Sequence, residues 1–232
     1  MRLDKWICHS AGLSRQLVQR AVRGGHVTVN GAVIKKADTK VSEVDAVQLD
    51  GVILTMPKPR YFMLHKPVGY VCATADSEYP IVLDLLDETR LDDLQIAGRL
   101  DLDTTGLVLI TDDGQWNHRV TAPARLCKKS YRVTLHEPLS DFSAQQLREG
   151  VLLHGEKKPT QAAELVWLDE TKHCVRLTIH EGKYHQVKRM FAAVGNLVTA
   201  LHRESVGDIV LEDALLSGEY RALTSAEIAS VR

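Results

Sequence analysis

An α+β fold in two modules is predicted by three features of this 232-residue chain. The first sixty residues join two short amphipathic helices to brief strands broken by Asn-Gly and Asp-Gly. A stretch with two prolines in three residues then interrupts regular structure. Beyond it, strand and helix signals alternate too irregularly for a parallel doubly wound sheet, and the sequence has no glycine-rich phosphate loop. The larger module therefore reads as a mainly antiparallel sheet flanked by helices, behind a small amino-terminal α/β module.

An apolar share of 44% is enough for a real core. The first residues alternate charge and apolarity, and no apolar run approaches the ~20 residues of a membrane span. Neither a signal peptide nor a span is expected. Cys8, Cys72, Cys127 and Cys174 lie far apart without paired spacing, which argues against a zinc knuckle or redox pair and fits a reducing cytoplasm. The net charge of −1 hides an asymmetry: residues 1–60 carry +5 and residues 61–232 carry −6. A basic module on a mildly acidic body implies that polyanion binding is assigned to one end.

Leu3, Trp6 and Ile7 recur at helical spacing and predict a helix over 3–11, ended by Gly12. Ser14 is placed to cap a second helix, Arg15 to Arg23, with Leu17, Val18, Ala21 and Val22 as its buried stripe. Arg15, Arg20 and Arg23 then face outward, and Gly24-Gly25 stops the helix. Strands 27–29 and 32–36 flank the turn Asn30-Gly31; strands 46–49 and 52–54 flank Asp50-Gly51. Thr55 to Arg60 is the linker, so the modules are 1–54 and 61–232.

In the second module, 61–64, 131–135, 165–168 and 175–179 read as strands. Segments 81–87, 116–120, 143–148 and 184–194 read as helices, with Gly150 and Gly195 closing the last two. Thr224 and Glu227 form a capping box for a final helix.

The segment Gly98-Arg99-Leu100-Asp101-Leu102-Asp103-Thr104-Thr105-Gly106 runs directly into Leu107-Val108-Leu109-Ile110. A carboxylate is thereby held at the mouth of a buried strand, on a rigid support. Alone, Asp101 and Asp103 would pass for turn residues. Three more segments accompany them: His65-Lys66-Pro67-Val68-Gly69-Tyr70-Val71, Lys129-Ser130-Tyr131, and Leu177 to Met190 with Lys183-Tyr184-His185-Gln186-Val187-Lys188-Arg189 at its centre. In this order, and along nearly the whole chain, they resemble the RNA pseudouridine synthases, in the branch that acts on small-subunit ribosomal RNA. Residues 1–54 resemble the S4-type RNA-binding domain, through Leu13-Ser14-Arg15 and Gly25-His26-Val27-Thr28-Val29-Asn30-Gly31.

The resemblance implies a long bent sheet with the active cleft across its middle, and a reaction that needs no cofactor and no metal. It implies Asp101 as the carboxylate that acts at the nucleoside, either by attack or by taking a ribose proton. Tyr131 would stack on the flipped uracil. Lys188 or Arg189 would pair with Asp101 and keep it ionised; the family's basic position aligns best with Lys188, and adjacent helical residues point ~100° apart. Arg99 would contact phosphate or order the loop, Leu177 and Ile179 would wall the base pocket or pack in the core, and Lys66, with Pro67 and Gly69, would hold a loop beside the cleft; Lys66 and Arg189 also count among the RNA-binding residues. Arg15, Arg20 and Arg23 would meet backbone phosphates. The implied partner is 16S rRNA, at uridine 516, or a small-subunit assembly intermediate; the protein would work as a monomer, away from membranes.

Other readings share some of these features. Asp101, Asp103, Thr105, Gly106 and Asp112 match five positions of a calcium loop, but Leu109 occupies a ligand position. His180 and His185 are five apart across a glycine and miss the spacing of a helical zinc pair. The rival functions are a non-catalytic ribosome-assembly protein, a related synthase acting on 23S rRNA, and a DNA-reading regulator built on residues 1–30.

Overall fold

The computed structural model describes residues 1–122 and 126–231 and divides into two units, Met1–Pro59 and Arg60–Arg232. The first unit begins with α1 (Leu3–Ala11) and α2 (Arg15–Gly24). Gly12 ends α1 at φ 67°, a left-handed conformation that glycine adopts freely. Ser14 caps α2 by accepting a bond from the Leu17 N–H. Asp4 is buried in the first turn of α1; bonds from the Arg2 guanidinium hold its carboxyl down to about 2.

Strands β1 (Val27–Val29), β2 (Ala32–Val33), β3 (Val47–Leu49) and β4 (Val52–Ile53) form a four-stranded sheet in the order β2-β1-β3-β4. Leu3, Trp6, Ile7, Val18, Val22, Val27, Val41 and Val47 make the unit's core. Leu17, expected in the buried stripe, is 48% exposed. One residue turns a helix by ~100°, so the Val18–Val22 ridge faces the sheet and Leu17 faces water. Arg60, expected in the linker, belongs to the second unit: its backbone N–H and Nε bond Asp112 at 2.7 and 2.8 Å.

The second unit carries β5 (Tyr61–Lys66), β6 (Gln95–Ala97), β7 (Thr105–Thr111), α3 (Gly114–Thr121), β8 (Lys129–Leu135) and α4 (Asp141–Glu149). After these come β9 (Glu164–Trp167), β10 (Cys174–Ile179), α5 (Gln186–Ala193), β11 (Val198–Val206), β12 (Ile209–Val210), β13 (Tyr220–Ala222) and α6 (Ser225–Ser230). Its sheet runs β13-β5-β7-β11-β8-β10-β9, with β6 added to β7 and β12 to β11. The β7–β11 contact is parallel; the other pairings described are antiparallel.

Period-two alternation sends the central strands' side chains to two cores. Phe62, Leu64, Val108 and Ile110 join one, which also holds Tyr131, Leu177, Met190 and Phe191. Met63, Leu107 and Leu109 join the other, against Trp116 and Val120 of α3. β7 is therefore covered on both faces, which makes it a stiff base for the loop that precedes it.

Several elements differ from expectation: β2 is shorter than 32–36, and the short strands β6, β12 and β13 have no counterpart among the strands expected from the sequence. Residues 81–87 form only a single 3-10 turn, Val82–Leu85. α5 starts at Gln186 rather than Tyr184, because His185 stands in the left-handed region at φ 46°. The nine-residue strand β11 was not anticipated; its run of Thr199, His202, Arg203, Glu204 and Ser205 lacks the apolar alternation of a half-buried strand. Among the described residues no helix is long and apolar enough to cross a membrane.

Candidate active site

Residues 98–104 form the loop of the β6–β7 hairpin, and several of its backbone groups are held by groups outside it. Arg203 donates from Nη2 to Gly98 O (2.7 Å), from Nη1 to Arg99 O (3.4 Å) and from Nε to Leu107 O (2.7 Å). The Leu100 N–H donates to Cys72 Sγ at 3.3 Å, and the Thr104 N–H to Asp101 O at 3.1 Å. Leu102 O accepts from the Gly69 N–H at 2.9 Å and, with Thr104 O and Pro67 O, from Lys66 Nζ. The segment His65 to Cys72 is thus a cradle for this loop. Lys66 holds the loop, as expected, but at 0% exposed it cannot also touch RNA. Burial pushes its ammonium pKa down, and carbonyl oxygens solvate it in place of water.

Gly106 makes the crossing of β7 and β11 possible. A Cβ there would lie 2.3 Å from Arg203 O, and its φ of +106° is one that L side chains rarely adopt. Backbone meets backbone at this point, and Arg203 is carried to the underside of the loop. Arg203 is 1% exposed and was not anticipated. An arginine on a strand leaves little trace of such a role in sequence, because its partners are carbonyls rather than carboxylates.

Asp101 stands on this pinned loop with two groups at its carboxylate. Lys188 Nζ of α5 lies 3.6 Å from Oδ2, and His185 Nε2 lies 3.3 Å from Oδ1. The same ammonium donates to Asp103 Oδ1 at 2.5 Å, and that bond holds the Asp103 carboxyl below its ordinary range. Arg189 points elsewhere: it donates to Tyr184 O at 3.0 Å and His154 O at 2.6 Å, and lies 3.6 Å from Glu156. Of the two basic neighbours it is Lys188 that faces Asp101, while Arg189 ties residues 154–156 to the start of α5.

A cleft of about 900 Å³ opens over this group. Its walls include Asp101, Arg99, Lys129, Tyr131, Ile179, Tyr184, His185 and Lys188. Tyr131 is 7% exposed on β8, where it pairs in register with Leu177 of β10 and Arg203 of β11. Ile179 reaches the cleft, whereas Leu177 is wholly buried in the core. Lys129 donates to Cys127 O at 2.8 Å, and burial lowers its pKa. Arg99 is exposed at the rim. The calcium-loop pattern is taken apart by the fold: Thr105–Thr111 is strand, and Asp112 binds Arg60. Among the described residues no cluster of three or more His, Cys, Asp or Glu is set up to hold a metal.

In the first unit Arg15, Arg20 and Arg23 are all exposed on α2. Arg20 and Arg23, with Gln16 and Gln19, border a shallow polar depression. Arg15 also lies 3.4 Å from the buried Asp4 carboxylate.

Comparison with known proteins gives a consistent picture. Residues 60–193 match the family model described as RNA pseudouridylate synthase, and residues 1–55 match the S4 domain. Ribosomal small subunit pseudouridine synthase A of Yersinia pestis is 56% identical over 232 residues, covering 100% of this chain and 98% of its own. The protein of that name from Escherichia coli K12 is 54% identical, with 100% of both chains covered. A crystal structure of a pseudouridylate synthase superposes with a TM-score of 0.73 at 46% identity over the full length of both chains.

Proposed function

The chain belongs to the family of RNA pseudouridylate synthases and carries an S4 domain, and on that basis we propose that it isomerises one uridine of small-subunit ribosomal RNA. The relatives' names supply the ribosomal subunit. By resemblance the target is uridine 516 of 16S rRNA.

The reaction breaks the bond from ribose C1′ to uracil N1, turns the base, and joins C1′ to C5. N1 gains a proton and C5 loses one. No electrons or phosphoryl groups are transferred, so the chemistry asks for no redox or group-carrying cofactor. It asks for an ionised carboxylate, a surface for the loosened base, and a cation to keep the carboxylate charged. The observation that carries this reading is Asp101 on a pinned loop at the cleft, with Lys188 Nζ 3.6 Å from its Oδ2. Whether it attacks the nucleoside or removes a ribose proton, Asp101 acts as the anion, and Lys188 Nζ stands within ion-pair distance of it.

Tyr131 forms the floor on which the uracil stacks, and Ile179 closes its side. Arg15, Arg20 and Arg23 meet backbone phosphates and hold a folded RNA without reading much sequence. The test is release of tritium from C5 of uracil in small-subunit rRNA, because joining C5 to C1′ must expel it. Release to water, with pseudouridine mapped to one position, supports the proposal. Firm RNA binding without release, from naked rRNA and from assembly intermediates, would favour a non-catalytic assembly role.

A further inference from the structure

We propose that Tyr184 is a stacking platform for the RNA base next to the target uridine, which would make it a specificity contact of the cleft. The proposal rests on the synthase reading above. Tyr184 lines the cleft and yet is 74% exposed. Its ring stacks on the imidazole of His185, with centroids 3.8 Å apart and planes 20° from parallel. His185 Nε2 in turn lies 3.3 Å from Asp101 Oδ1. The two rings therefore form a short stack that starts beside the candidate carboxylate and ends on an aromatic ring largely open to solvent.

Nothing in the packing of the fold accounts for that ring. Tyr184 belongs to none of the apolar cores. The backbone that carries it is nonetheless fixed at several points. Arg189 Nη1 donates to Tyr184 O at 3.0 Å, and the Lys183 N–H donates to Gln186 Oε1 at 2.8 Å. Gln186 Nε2 donates to Glu181 Oε1 at 2.8 Å, and the Gln161 N–H to the same oxygen at 2.9 Å. His185 itself holds a left-handed conformation at φ 46°, uncommon for a residue with a side chain. Such strain collects where a site needs a particular orientation. Here it coincides with the turn that sets His185 against Asp101 and Tyr184 at the rim.

The chemistry of the rim selects the occupant. Lys183, Lys188 and Arg99 line the cleft beside the carboxylates of Asp76, Asp101, Asp103 and Glu181, and on the synthase reading its ligand is a polyanion whose planar bases suit the Tyr184 ring. Single-stranded RNA bases are recognised by stacking on aromatic side chains. A uridine turned out of its stack leaves its neighbour with one bare face. Tyr184 offers a ring to cover that face, already held in place. Phe142 on α4 is equally exposed at 74% but does not line the cleft, and it serves as the control.

The experiment uses a synthetic small-subunit rRNA stem-loop containing uridine 516, tritiated at C5, and the intact protein. Tyr184→Ala should raise KM roughly 5- to 150-fold while kcat stays within a few-fold. Tyr184→Trp should keep the wild-type KM, and so should Phe142→Ala. Removing the base on one side of the target should cost the wild type a similar factor and cost Tyr184→Ala nothing more. An unchanged KM in Tyr184→Ala, or equal abasic penalties in both proteins, would overturn the proposal. So would a loss confined to kcat, which would make the ring a support for His185. If the wild type released no tritium from this stem-loop or from a small-subunit assembly intermediate carrying the same label, the synthase reading would fall first and the proposal with it.

Discussion

A carboxylate in a half-closed cleft gives up part of its hydration, and a cation within a few ångströms restores the balance in favour of the anion. Lys188 is shared between two such groups, at 3.6 Å from Asp101 and 2.5 Å from Asp103. Removing the charge by Lys188→Met should lower turnover roughly 100-fold and leave RNA affinity nearly unchanged. Lys188→Arg should retain most of the activity, since the position asks for charge more than for a forked pair. Full turnover in Lys188→Met would mean that His185 or the loop backbone alone sustains Asp101. Two other cations, Lys66 and Arg203, work by a different logic: both are buried, and their polar contacts end on backbone carbonyls of the loop or of its flanks. In the sequence alone Lys66 reads both as a loop support and as an RNA contact, and Arg203 as neither. A motif shows which residue is present, but carbonyl partners are the same in every sequence.

The hairpin β6–β7 and the start of α5 are the two elements that build the site. Gly106 is the narrowest point, since a Cβ would meet Arg203 O at 2.3 Å, with φ also at +106°. Gly106→Ala should destabilise the protein by more than about 4 kcal/mol, read as a large fall in melting temperature or a loss of soluble protein. A variant that melts like the parent would show that the β7–β11 crossing has slack. Legibility followed the range of the interactions. Gly12, Ser14, Gly150 and the Thr224–Glu227 box were readable because caps are local, and α1, α2, α4 and α6 stand where those residues put them. β11 was not readable, because its register is set by residues 129–135 and 105–106, far away in the chain. The candidate site was half legible: Asp101, Tyr131 and Lys188 carry the family's pattern, while Cys72 and Arg203 acquire meaning only from the fold.

At the scale of the whole molecule, charge is divided as the chain is. The amino-terminal residues carry the positive excess, and their exposed arginines line up on α2. Replacing Arg15, Arg20 and Arg23 together by Gln should weaken RNA binding and flatten its dependence on log salt by about 2 to 3. Turnover at saturating RNA should be unchanged, because the carboxylate and its supports all lie in the second unit. An unaltered salt slope would place the RNA footprint elsewhere. The measurement that bears most directly on the central claim compares the intact protein with Asp101→Asn, both given small-subunit rRNA tritiated at uracil C5. Asn keeps the shape of the side chain and removes the charge that Lys188 faces. The intact protein should release tritium steadily and the variant at least 1,000-fold more slowly, with RNA affinity retained. Release by Asp101→Asn at a rate near that of the parent would contradict the catalytic role of Asp101.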